Sequence, residues 1–162
     1  MKADEFDSII FDCDAVLIDV TKSYDVTINE TISYVLKEIA DITVDAPLTN
    51  EILLKFKSTG GFNDEIDITY SGTLCCIAAK KLNKDPTELI LDVLNNADAT
   101  GIAYIENFLN KINVDIADIK SRLGYPSTDK NDLIHATFDQ LFSVQNYTAK
   151  FSRKNPSFLK RG

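Results

Sequence analysis

Asp12 and Asp14 stand two residues apart at the end of the most strand-like run in the chain, Ser8-Ile-Ile-Phe-Asp-Cys13, and Asp19 follows five residues after Asp14. Side chains alternate along an extended segment, so residues two apart share a face, and a chain that begins to turn there can bring both carboxylates to one ligand. Such a pair can hold a hard cation such as magnesium, or divide the roles of nucleophile and general acid/base. Two solvated turn residues would carry the same spelling, and the surrounding elements have to decide between the readings.

The run from Ser8 to Cys13 has the apolar, β-capable composition of a buried parallel strand, which delivers polar groups to the rim of a sheet. After Asp19 the period changes. Val20, Tyr24, Ile28, Ile32, Leu36 and Ile39 recur at three- or four-residue steps and predict a helix over about 21–40. Asp41 to Pro47 reads as a connection with weak β character, and Thr49 as the N-cap of a short helix carrying Ile52, Leu53 and Phe56, stopped by Gly60-Gly61. Ile66, Tyr70, Leu74, Ile77, Ala78 and Leu82 predict a third helix. The unbroken run Leu74–Ala79 can also be read as a buried strand, which together with Ile42–Val44 would make a small sheet; the helix is preferred.

Asp85-Pro-Thr-Glu88 joins an N-cap, a proline at the first helical position and a glutamate at the third, a complete helix start for Leu89, Ile90, Val93 and Leu94. Further helices are predicted around Ile102–Ile112, around Ile116–Leu123 with Gly124 closing it, and around Leu133–Phe142. From Gln145 onward polar and basic residues accumulate without a period, so the tail 145–162 is expected to be irregular. The fold class is therefore mainly α: a helical bundle over 21–144 behind a single N-terminal strand and its loop over 1–20.

Composition narrows the function. With 17 basic and 25 acidic residues among 162, the net charge is −8, which repels nucleic-acid backbones and anionic lipid. Only the dispersed tail charges Arg153, Lys154, Lys160 and Arg161 could oppose that field, and they read as solvated surface. No stretch approaches the roughly 18 apolar residues of a membrane span, and the N-terminus lacks the basic-then-apolar order of a secretion signal. Neither nucleic acid nor membrane is expected as a partner, and a cytoplasmic location is expected. Cys13, Cys75 and Cys76 contain no C-x-x-C and read as reduced thiols. His135, alone of its kind, reads as structural or exposed.

Ile9-Ile-Phe-Asp-Cys-Asp-Ala-Val-Leu-Ile-Asp19 resembles the first motif of the haloacid dehalogenase superfamily, a hydrophobic strand followed by D-x-D-G-x-L-x-D. Ile18-Asp-Val-Thr-Lys-Ser-Tyr24 and Gly60-Gly-Phe-Asn-Asp-Glu-Ile-Asp-Ile-Thr-Tyr70 resemble segments of the subgroup related to phosphoglycolate phosphatases, in which a helical cap follows the first strand. The resemblance covers most of residues 8–144. It implies phosphoryl transfer with Asp12 as the nucleophile that becomes an aspartyl phosphate, and Asp14 as the acid that protonates the leaving oxygen and then activates water. It also implies magnesium, held by the Asp12 carboxylate and the Asp14 main-chain carbonyl. The substrate would be a small phosphorylated metabolite, met from the cap by Lys57 and by the turn at Gly60 and Gly61.

The family's Gly after the second Asp is Ala15 here, and its later Ser or Thr, its Lys and its late acidic pair have no counterpart in the sequence. Asp64, Glu65 and Asp67 could be offered as replacement magnesium ligands, but acids at a helix start explain them as well. The expectation is an incomplete phosphatase core. A lone buried strand cannot satisfy its own backbone groups, so the strand calls for a complementing chain, for a second copy in a homodimer, or for a small sheet made by Leu74–Ala79 and Ile42–Val44. The competing reading is a non-catalytic helical interaction module that keeps a vestigial D-x-D.

Overall fold

The computed structural model describes residues 21–62, 64–125 and 132–151. Seven helices occupy them: α1 (Thr21–Ala40), α2 (Asn50–Ser58), α3 (Glu65–Leu82), α4 (Pro86–Leu94), α5 (Ile102–Lys111), α6 (Ala117–Leu123) and α7 (Leu133–Phe151). No strand occurs among the described residues, so the mainly helical class stands. The strand expected over 8–13, and Asp12 and Asp14 with it, lie outside the described residues.

The helices begin where the caps predict. Thr49 accepts the Ile52 amide, Asp64 the Ile66 amide, and Asp85 the Glu88 amide with Pro86 in the first turn; each cap satisfies an N–H that the helix itself leaves unpaired. Gly124 closes α6. Asn83 ends α3 in the left-handed conformation at φ 54°, with the Lys84 amide donating to the Ala79 carbonyl at 2.9 Å, a stop that the apolar spacing alone does not announce.

The core is organised around α3, which is buried continuously from Ile68 to Ala79 and packs against α1, α4, α5 and α7. A helix buried on every side loses its amphipathic period, and this is why Leu74–Ala79 also had the composition of a strand. Helix α1 lies between α3 and α7, contributing Ile28, Ile32, Val35 and Leu36, none of them exposed. Tyr24 stacks on Phe142 of α7 with ring centres 4.8 Å apart. The small sheet of Ile42–Val44 with Leu74–Ala79 does not form. The connection 41–49 is pinned by a side chain instead: the Asn29 amide donates to the Leu48 carbonyl at 3.0 Å and accepts the Leu48 N–H at 2.7 Å.

The tail expected to be irregular from residue 145 is helical to Phe151. From Leu133 the first Gly or Pro is Pro156, so nothing in the backbone chemistry stops α7 at Phe142; polar composition is not itself a helix breaker.

Candidate functional site

Lys57, in the last turn of α2, places its ammonium 3.1 Å from the Asp25 carboxylate in the second turn of α1. The contact spans 32 positions in sequence and ties the end of α2 to the beginning of α1. The turn that follows α2 is held by Thr59, whose hydroxyl donates to the Phe56 carbonyl at 2.8 Å and accepts the Gly61 N–H at 3.2 Å. Of the residues singled out in the sequence, the structure thus brings Lys57, Gly60 and Gly61 to one end of the bundle. It is the end of the bundle at which α1 begins, and Asp14 and Asp12 stand seven and nine positions before Thr21 in the sequence.

Gly60 and Gly61 differ in what they do there. Gly60 takes the turn at φ +76° with nothing within 4 Å of an added Cβ. Gly61 lies against the loop between α4 and α5: a Cβ on it would stand 2.6 Å from the Gly101 nitrogen and 2.9 Å from the Asp98 carbonyl oxygen. The double glycine therefore seats one loop on another, a packing role that the substrate-turn reading did not anticipate.

The acids at the start of α3 are accounted for by structure. Asp64 is the N-cap, with its Oδ1 2.8 Å from the Ile66 nitrogen. Asp67 accepts a hydrogen bond from the Tyr125 hydroxyl, and burial pushes its carboxyl above the usual range against the opposing effect of that bond. Among the described residues, no group of three or more His, Cys, Asp or Glu is placed to hold a metal ion.

Tyr125 belongs to a polar cluster that the sequence did not reveal. Its ring lies 5.0 Å from Tyr70 and 5.3 Å from His135. The Tyr70 hydroxyl donates to Glu106 Oε1 at 2.7 Å, and Lys120 donates to Glu106 Oε2 at 2.7 Å. His135 Nδ1 meets Asp132 Oδ2 at 2.7 Å, while the other oxygen of that carboxylate accepts the His135 amide. Asp132 thereby opens α7 and orients His135, and the cluster fastens α3, α5, α6 and α7 together. Both tyrosine hydroxyls are pushed up by burial first and by their carboxylate partners second, so they act as donors.

The Asp67–Tyr125 contact makes a pH prediction. A carboxyl whose folded-state pKa is raised takes up a proton on folding, so it lowers stability as pH rises from its unfolded value of 3.8 through the folded value. Removing the Tyr125 hydroxyl takes away the group that moderates the rise. Tyr125→Phe is therefore expected to lower the urea midpoint at pH 7, with the gap to the parent chain narrowing as pH falls toward 3.8. Equal midpoints at pH 7 would show that the hydroxyl carries no weight.

Two clefts open at the other end of α3, some 15 residues from Glu65 and hence about 22 Å along the helix. One, of about 500 Å³, lies between the connection 41–49, α3 and the start of α4, with Leu36, Val44, Pro47 and Cys76 among its walls. Burial holds the Cys76 thiol up at about 12, which makes it inert. The other, of about 370 Å³, lies among the ends of α1 and α3 and helix α6. Among the described residues, no helix is long and apolar enough to cross a membrane. Comparison of the chain with family models, curated proteins and solved structures finds no match.

Proposed function

We propose that this chain is the cap and first-strand portion of a magnesium-dependent phosphatase of the haloacid dehalogenase type, acting on a small phosphorylated metabolite. Asp12 attacks phosphorus, the phosphorus–oxygen bond to the leaving group breaks, and Asp14 gives that oxygen its proton. Asp14 then takes a proton from the water that attacks the aspartyl phosphate, so Asp12 is released as carboxylate and inorganic phosphate leaves. Magnesium would be held by the Asp12 carboxylate and the Asp14 main-chain carbonyl and would supply positive charge against the phosphate. No strand that could pair with residues 8–13 occurs among the described residues.

The observation that carries this reading is the placement of Lys57 and the Gly60–Gly61 turn at the end of α1 to which the D-x-D segment is joined. A cap that closes over a phosphate needs a cation on that side. The test is hydrolysis of a generic aryl phosphate with and without magnesium, with Asp12→Asn run beside the parent chain.

The non-catalytic reading has its own support. Lys57 is engaged by Asp25 at 3.1 Å, and Gly61 has a packing partner in Gly101, so each explains itself within the bundle. A helical module that docks on a protein partner would need nothing more from them.

A further inference from the structure

The cleft of about 370 Å³ at the end of α3 is floored by Ile39, Ile77 and Ile119 and rimmed by Lys80, Lys81 and Arg122, with Asp118 the carboxylate in its wall and the Asp41 carboxylate within electrostatic reach of Lys80. Three cations against two acids is an inversion of the chain's overall balance of −8. Two of the three are held in place by main-chain oxygens at helix ends. Lys80 donates to the Ala40 carbonyl at 2.7 Å and more weakly to Asp41 at 3.4 Å, and Lys81 donates to the Asp115 carbonyl at 2.8 Å. An ammonium has three N–H donors, so each lysine is fixed and still has donors to give. Arg122, whose planar guanidinium suits a two-point grip on phosphate or carboxylate, has no partner among the described residues.

We propose that this cleft binds a small organic anion with an apolar body, the anionic group on Arg122 and the two lysines and the apolar part against the three isoleucines. The volume is that of an ordinary small-ligand site. It lies about 22 Å along α3 from Glu65, at the opposite end of that helix, so it is a second site, distinct from the one proposed for phosphoryl transfer. Phosphonate and carboxylate heads share the chemistry, and the dianion is expected to bind tighter.

The test is an NMR titration of the whole chain with benzylphosphonate at pH 8 and low salt, beside phenylacetate and benzyl alcohol. The expected result is saturable shifts at Ile39, Ile77 and Ile119 with a dissociation constant of about 1 mM or below. Phenylacetate should bind more weakly, benzyl alcohol should not saturate, and the affinity should fall in 0.5 M salt. Arg122→Gln, an exposed change that leaves the core untouched, should weaken the phosphonate about threefold to fivefold, and Arg122→Gln with Lys81→Gln about tenfold. The proposal is overturned by an absence of saturable shifts at ten times that concentration. It is equally overturned by equal binding of the alcohol, by unchanged affinity in both variants, or by shifts that centre on Lys57 and Gly61 instead.

Discussion

Gly101→Ala is expected to destabilise the chain by about 3 kcal/mol or more and to lower its melting temperature by roughly 6–12 °C. Two independent costs meet at this position. Its backbone stands at φ +59°, ψ −122°, a region that residues with a Cβ all but never enter. The added Cβ would also lie 2.2 Å from the Gly61 carbonyl oxygen, and since the obstacle is main chain, no rotamer change relieves it. The neighbouring glycines separate the two costs. Gly61→Ala meets the Gly101 nitrogen at 2.6 Å without a backbone penalty and should cost about 1–3 kcal/mol. Gly60→Ala at φ +76° meets nothing and should cost about 1 kcal/mol from conformation alone. The order 101, 61, 60 in thermal unfolding is the expected result, and a reversed order would contradict the seating of one loop on the other.

That loop contact also shows where sequence reasoning ends. The start of α4 was legible at Asp85-Pro-Thr-Glu88 because a cap acts within four residues. The preference for helix at α1 rested on six apolar positions on one face; the structure buries Ile28, Ile32 and Leu36 and packs Tyr24 and Ile39 against the core, while Val20 lies outside the described residues. Gly61 and Gly101 are 40 positions apart, and a glycine needed for close approach is spelled like a glycine needed for a turn. The same holds for Lys57 with Asp25 and for Asp67 with Tyr125, separated by 32 and 58 positions. Each of those side chains has an ordinary helical address, and only the packing of α3 among four other helices decides what it touches. The reach of α7 to Phe151 was missed for a different reason: solvent-tolerant residues lack a period, yet carry no signal to stop.

The cleft proposed for an organic anion was equally silent in the sequence. Lys80, Lys81 and Arg122 come from helices whose ends converge only after folding, and two lysines in the last turn of α3 are what the helix dipole alone would favour. What distinguishes them is the pair of main-chain oxygens that hold their ammonium groups, a feature with no counterpart in composition.

Asp12→Asn is expected to abolish magnesium-dependent hydrolysis of an aryl phosphate while leaving the far-ultraviolet signal of the helices unchanged. The amide is nearly isosteric with the carboxylate but is no nucleophile, so the covalent step is lost outright. Asp14→Asn should cost less, about 10²- to 10⁴-fold, because it removes assistance with proton transfer and leaves the attacking group in place. Lys57 then distinguishes the two functional readings. If its ammonium meets the substrate phosphate in ground and transition states alike, Lys57→Met raises KM and leaves kcat nearly unchanged. If its whole business is Asp25, at 3.1 Å with both side chains partly exposed, KM stays put and the loss is at most about 1 kcal/mol of stability. Hydrolysis retained by Asp12→Asn would sink the phosphoryl-transfer assignment. A folded parent chain that is inert with and without magnesium, and remains so at concentrations that drive self-association, would favour the interaction module, because a second copy would then have failed to complete the core.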